Sequence, residues 1–352
     1  MRDEKKHVLL ETLFLITHHS MGEQAMGIKR IVAVLALGLA MTGQAQARFQ
    51  DMGVGARAMG MGRAFTAVAN DASALYWNAA GITQIRKMEG LVLYAPVFAG
   101  LSAKVLDDSG LLKDDRMALT YGAVVFPTRY LNIGVDTHVF TSFLYDEYRV
   151  SLGLAKYFGI PDGTGIAFSG KFKLLGYGLS SNQYVQSNPF FAANGTSKQG
   201  VTADFGMLFK ATDRLGFGAS WENVVPVDMA LGAAKDNVPF LLRLGTSLKW
   251  PLNAFDDFHS AIDVTIRNNE VNNQRQVGLH AGAEITLYNE ALAFRTGFNV
   301  SPRYVDDGFQ FDELAFGLGY KHRHVRVDYT LIMARNLKET FGSHMFSIGF
   351  QR

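Results

Sequence analysis

The sequence predicts an all-β protein: a transmembrane antiparallel β-barrel of about fourteen strands, with a small N-terminal hatch of helix and loop in its lumen. Three observations carry this expectation. From Glu89 onward, hydrophobicity alternates with a period of two. The alternating segments commonly reach ten residues or more, whereas strands of soluble proteins average ~5–6 and a tilted strand needs ~9–11 to cross a bilayer. The connections alternate between short and long.

Successive side chains of a strand point to opposite faces. Over residues 148–155, Tyr148, Val150, Leu152 and Leu154 share one face, and Arg149, Ser151, Gly153 and Ala155 the other. Val277, Leu279, Ile285 and Leu287 oppose Gly278, His280, Gly282, Glu284 and Thr286. Val327, Tyr329, Leu331 and Met333 oppose Arg326, Asp328 and Thr330. A soluble sandwich alternates too, but polar faces bearing Lys171, Lys173, Lys249, Asp263, Arg295 and Arg326 suit a wet lumen. Lipid admits only helices and closed barrels, because every backbone polar group must be paired.

The strands are expected near 89–99, 116–126, 130–142, 147–158, 164–175, 200–210, 214–222, 238–250, 257–267, 274–287, 291–300, 310–320, 324–333 and 343–350. Short links begin at 127, 211, 288 and 321, and the longest span 176–199 and 223–237. Bacterial barrels have short periplasmic turns and longer outer loops, which places both ends of the barrel in the periplasm. Two links break the pattern: 143–146 is short but outside, and 251–256 is fairly long but periplasmic.

The single long apolar run, residues 31–43, follows Lys29-Arg30 and precedes Ala45-Gln46-Ala47. A basic start, a short apolar stretch and an A-x-A exit make a secretory signal peptide; 13 residues fall short of the ~20 a spanning helix needs. Cleavage is expected after Ala47, with the native start at Met26 or Met21 and the residues before it called too early. The chain thus divides into a signal peptide (1–47), a hatch or plug (48–87) and a barrel (88–352). At the other end Phe346, Ile348 and Phe350 alternate with Ser347 and Gly349, which resembles the final strand of outer-membrane barrels. The expected location is the outer membrane of a Gram-negative-type bacterium.

The segment 55–85 is rich in Gly and Ala and is not a strand. A barrel of about fourteen strands is too wide for wall side chains alone to fill, so this segment is expected to fold into the lumen. Gly53, Gly55, Gly60, Gly62 and Gly81 permit tight turns and close backbone approach. Residues 71–81 suit a short helix capped by Asp71 and ended by Gly81. Tyr76 and Trp77 are its expected packing anchors, and Asn78 the polar group fixing the turn before Gly81.

The run "GARAMGMGRAFTAVANDASALYWNAAGI" resembles the N-terminal signature of PorV/PorQ-type outer-membrane proteins, within the wider family of FadL-type long-chain fatty-acid channels. Gly55, Ala56, Arg57, Gly60, Met61, Gly62, Ala64, Phe65, Ala67, Ala69, Asp71, Tyr76, Trp77, Asn78, Ala80 and Gly81 match that pattern. Asn70 stands where Asp is usual and Ala79 where Pro is usual. The resemblance implies a fourteen-stranded barrel with a lumen hatch, and a gate formed by Asn78, Ala79, Ala80 and Gly81 with Tyr76, Trp77, Gly60 and Gly62. In the FadL branch it implies passage of hydrophobic molecules through a gap in the wall; in the PorV branch, service in type IX protein secretion.

Other chemistry is sparse. A net charge of +2 excludes a strong electrostatic claim on nucleic acid, and the absence of cysteine excludes disulfides and thiolate metal sites. The spacing of glycines 53, 55, 60 and 62 is not a dinucleotide fingerprint, so no cofactor is expected. His322 and His324 read as a solvated polar turn rather than a metal site. Ser347 with His344 or Asp328 shows no nucleophile–base spacing, and no catalytic residue is assigned. In the outer loops, Phe190, Phe191, Met229 and Leu231 form a possible capture site; equally, the loops fold over one another and bury them. The readings carried forward are a channel for hydrophobic small molecules such as fatty acids or lipids, a scaffold or shuttle for secreted proteins, and, third, an enzyme. Membrane lipids are the expected surroundings in each.

Overall fold

The computed structural model describes residues 49, 51–96, 103–106, 112–115, 117–160, 163–181, 183–233, 235–269, 274–300, 312–335 and 342–352. The expected signal peptide, 1–47, lies outside them. Among the described residues, sixteen strands follow in chain order: β1 (Glu89–Pro96), β2 (Ala103–Leu106), β3 (Leu112–Asp115), β4 (Ala118–Pro127), β5 (Asn132–Thr141), β6 (Tyr145–Gly159), β7 (Gly165–Leu179) and β8 (Ser197–Lys210), then β9 (Leu215–Glu222), β10 (Leu241–Pro251), β11 (Asp257–Asn269), β12 (Gln274–Leu287), β13 (Leu292–Val300), β14 (Glu313–His322), β15 (Val325–Ala334) and β16 (Ser343–Gln351).

All except β2 and β3 close into one antiparallel barrel of neighbours in sequence, sealed where β1 pairs with both β16 and β4. Val92 stands opposite Ile348 on one side of that seam and Gly122 on the other. The fourteen expected strands are these fourteen. The β2–β3 hairpin, within the first long connection, was not foreseen. No helix among the described residues is long and apolar enough to cross a membrane.

The faces sort as the alternation predicts. Val92, Tyr94, Phe172, Phe205, Trp221, Phe316, Leu318, Phe346 and Ile348 are exposed outward, the apolar band a bilayer requires. Asp136, Lys171, Asp263, Glu284, Arg295 and Asp328 point inward and are buried. Here the expectation of a wet lumen needs correcting. Those charges are covered because the hatch fills the space beside them, whereas Lys249 and Arg326, toward the short-turn end, keep partly exposed side chains, 39% and 21%.

Phe316, mid-strand on β14 and half exposed, tests the facing. Phe316→Arg is expected to cost ~2–4 kcal/mol near the midplane, read from urea titration of the heat-modifiable gel band. A cost under ~1 kcal/mol would place that face in water. Thr330 is no harmless inner control, since Gly60 of the hatch sits against its Oγ1.

Candidate functional site: the plugged lumen

The hatch is built from three short turns of helix: α1 (Ala56–Gly60), α2 (Ala74–Trp77) and a 3-10 turn (Ala79–Gln84). Gly53, Gly55 and Gly62 have φ of +73°, +78° and +62°, angles that would strain any residue with a Cβ. Gly60 is there for another reason, its Cα lying against Gly317 of β14.

The expected single helix over 71–81 is interrupted. Asn78 turns extended, with φ −161°, and its side-chain oxygen accepts from the Ala80 amide at 3.2 Å to start the 3-10 turn. Its Nδ2 donates to the carbonyls of Thr66 and of Met207 on β8, both at 2.9 Å. Asn78 thus holds two pieces of hatch and one wall strand together. Asp71 is not the cap of α2; its Oδ1 takes the amide and hydroxyl of Ser73 at 3.0 and 2.5 Å. Gly81 lies inside the 3-10 turn, with its Cα pressed on the Ala69 carbonyl. Ala79 opens that turn, the position where a proline's fixed φ would fit. Ala80 packs with Ala167 and Leu208 of the wall.

Tyr76 and Trp77 are both buried and hydrogen-bonded. The Trp77 indole donates to the Val54 carbonyl at 2.9 Å, and the Arg243 guanidinium lies 5.0 Å from its ring. The Tyr76 hydroxyl accepts from Gly53 at 3.1 Å and donates to the Asp51 carboxylate. Its ring stacks on His138 at 6.0 Å and meets Tyr121 edge-on at 6.4 Å.

The wall is shaped to receive the hatch. Gly134 and Gly153 face Leu75; Gly206 faces Asn78; Gly218 faces Thr66 and Ala67; Gly282 faces Met61; Gly297 faces Met61 and Gly62; Gly317 faces Gly60. At these positions a Cβ would fall on hatch atoms. The other side of the lumen, on β1 and β4, is apolar: Leu91, Leu93, Leu119, Tyr121, Ala123 and Val125 join Phe65, Leu75 and Ile82 of the hatch in one buried cluster.

Charge closes the remaining side. Arg57 binds Glu284 twice, at 2.9 and 2.7 Å, and Asp71 at 3.3 Å. Arg295 joins Glu284 to Asp328 at 2.5 and 2.8 Å, and Arg326 joins Asp328 to Asp71, at 2.8 and 2.9 Å. Asp263 accepts the amides of Phe65 and Thr66, and Lys171 reaches the Leu75 carbonyl at 2.6 Å. Pairing of this kind is needed wherever charges leave water.

Burial works to raise the Asp71 carboxyl, but Arg326 and Arg57 outweigh it and hold it below the usual range. Burial likewise opposes ionisation of Asp51, and Arg243 and Arg63 overcome it. Both groups are depressed relative to the unfolded chain, so their stabilisation is complete above about pH 4 and is lost as pH falls below it. From these two groups, hatch protection from hydrogen exchange is expected to fall as pH drops below about 4. A loss beginning near pH 6 would show that another group holds the hatch.

Beneath the hatch, at the short-turn end, lies a polar cavity of about 190 Å³ whose lining includes Arg57, His259, Glu284, Arg295 and Arg326. A second, of about 210 Å³, sits among the outer loops and is lined by Leu179, Val185, Phe191 and Thr196. Two outer helices flank it, α3 (Gln183–Ser187) and α4 (Pro189–Asn194). Phe190 is exposed, meets Phe191 edge-on at 5.4 Å, and lies against Gly232 of the next outer loop. Met229 is fully buried, and Leu231 packs beside it. Of the four candidate loop residues, Phe190 is exposed, Phe191 and Leu231 are half-buried, and Met229 is fully buried.

The remaining candidates are separate. Ser347 faces the lumen and accepts the Ala56 amide at 3.3 Å, whereas His344 pairs with the Tyr329 hydroxyl at 2.8 Å. His322 stacks on Tyr320 and His324 leans on Phe350. Among the described residues, no group of three or more metal-ligating side chains stands together. Sequence reasoning missed the wall half of the hatch seat. Glycines at inward positions of neighbouring strands were its only available sign.

No family model and no curated protein matches this sequence. Solved structures do match in fold. The toluene transporter TodX of Pseudomonas putida is 14% identical, with a TM-score of 0.55 over 87% of this chain and 98% of that one. The CymD monoaromatic hydrocarbon channel is 12% identical, with a TM-score of 0.54 over 85% and 98%. The toluene transporter TbuX of Ralstonia pickettii is 14% identical, with a TM-score of 0.54 over 85% and 98%. The chain shares with these hydrocarbon channels a barrel fold that spans nearly their whole length.

Proposed function

We propose that this protein is an outer-membrane channel that admits hydrophobic small molecules, working without an enzymatic step. The observation that carries the reading is a closed fourteen-stranded barrel with an apolar outer band, plugged by its own N-terminal segment. Likeness in fold to the toluene transporters TodX and TbuX and to CymD supports it. A plugged lumen is not an open water pore, so selection for cargo rests with the hatch and the outer loops. Proteoliposomes holding the full-length protein are expected to accumulate radiolabelled toluene or oleate faster than empty vesicles, and to exclude glucose. Equal rates in loaded and empty vesicles would defeat the reading.

A second reading, a PorV-like scaffold or shuttle for secreted proteins, draws on one observation: the signature residues 55–62 and 76–81 form the hatch itself. Its test is co-purification of secreted proteins with the native barrel, which a channel for small molecules does not produce.

A further inference from the structure

The short-turn rim of the barrel is uneven in charge. On the side of β10–β15 its lysines are paired, Lys249 with Asp257 at 2.8 Å and Lys321 with Glu290 at 2.7 Å. On the side of β4–β7 two cations have no such partner. Residues 126–131 and 154–160 hold Arg129 and Lys156 and no Asp or Glu. Among the described residues neither side chain meets a carboxylate; Asp162, in the turn after β6, lies outside them.

What these two cations rest on is aromatic. The Arg129 guanidinium lies 5.8 Å from the centre of the Tyr130 ring, and the Lys156 ammonium 5.4 Å from that of Phe158. Phe158 meets Phe168 of β7 edge-on at 6.4 Å, and Phe168 stands opposite Lys156 in the strand pairing. Tyr130, Phe158 and Phe168 are all exposed. The two segments are neighbours. The pairing of β5 with β6 ends at Asn132 and Ala155, so the turn carrying Arg129 continues alongside Lys156. Alternation along β6 puts Lys156 on the outward face with Leu152 and Phe158. A ring face attracts a cation, and a long basic side chain covers apolar surface with its stem while its charge stays at the edge. A charge on the lipid face costs little only near the interface, which sets Lys156 at headgroup depth.

We propose that this patch is a docking site for an anionic phospholipid of the periplasmic leaflet, its phosphate between Arg129 and Lys156 and an acyl chain along Phe158 and Phe168. The proposal rests on the outer-membrane location and not on what passes the lumen. Selectivity follows from the charges of the patch. A phosphatidylglycerol headgroup carries a net negative charge, which two unpaired cations match. A phosphatidylcholine or phosphatidylethanolamine headgroup adds an ammonium, and residues 126–131 and 154–160 offer no carboxylate to receive it. One cation at an anionic membrane surface is worth about fivefold in binding, so the two give about twenty-five-fold.

The test is native mass spectrometry of the full-length protein released from detergent, with phosphatidylglycerol and phosphatidylcholine of the same acyl chains as competing probes. Phosphatidylglycerol is expected to be retained about twenty-five-fold over phosphatidylcholine, and Arg129→Gln with Lys156→Gln should bring that ratio to about one. Each single variant should keep about fivefold, which reads the same claim if the double variant does not fold. Arg275→Gln with Lys235→Gln removes the same charge from exposed residues at the outer end, and should leave the ratio as it is. Arg129→Lys with Lys156→Arg, which keeps both charges, should keep the preference. No preference in the native protein, or one that survives Arg129→Gln with Lys156→Gln, overturns the proposal. So does a preference lost equally in the outer-end control, which would make it a response to net charge.

Discussion

Deleting residues 53–85 is expected to leave a folded, heat-modifiable barrel whose single-channel conductance rises by about tenfold or more, because wall side chains alone do not fill an interior of this strand number. The wall owes its backbone pairing to β1 and the strands that follow, none of which begins before Glu89. Removal does have a cost. Leu91, Leu93, Leu119 and Val125 lose their apolar cover, and Glu284 and Asp263 lose hatch partners. Those charges regain water in the opened lumen, so the unmatched groups are hydrated rather than stranded. The barrel should therefore melt earlier but still close. Planar-bilayer recording decides: a deletion that will not fold, or that conducts no better than the native protein, makes the segment part of the wall.

Gly297→Leu should reach nearly the same conductance through one methylene-rich side chain. A Cβ at Gly297 would fall on the Gly62 amide and the Met61 carbonyl carbon, backbone atoms that cannot swing aside. Gly62 cannot retreat by changing its turn either, since it already sits at φ +62° with its own Cα against Phe298 and Ala281. The strand pairing of Gly297 with Gly282 and Ala315 is untouched, so the barrel should form and the hatch should fail to dock. Gly170→Leu is the matched control: it lies on the outer face of β7 with nothing within 4 Å, and should leave conductance alone. If Gly297→Leu remains closed with the hatch still protected from hydrogen exchange, the seat is softer than its geometry implies.

The wall was legible because its rule is local. Each strand declares its two faces within a few residues, as Val327 and Asp328 do, and fourteen such declarations add up to a closed sheet. The β2–β3 hairpin escaped because "AKVL" and "LKDD" are too short to show a period. The N-terminal segment was legible as a small-residue composition in which Tyr76, Trp77 and Asn78 stood out. What they hold was not: Arg57 meets Glu284 across 227 positions of sequence, and Asn78 meets Met207 across 129. Nothing near Gly297 says that it seats Gly62. The outer loops show the same limit. Phe190 and Met229 look alike as apolar loop residues, yet one is exposed and the other fully buried, because burial there depends on how two loops lie over Leu175 and Tyr177.

The seam of the barrel joins its first and last strands, and the hatch touches both of its edges. The Ala72 amide is bound by Glu89 of β1 at 2.9 Å, and the Ala56 amide by Ser347 of β16 at 3.3 Å. A polypeptide that inserts into a membrane strand by strand must bring these two edges together last. The two amides bridge both edges of the seam, so they give the closing strands a common template. Loss of the segment is therefore expected to show as slower refolding into lipid.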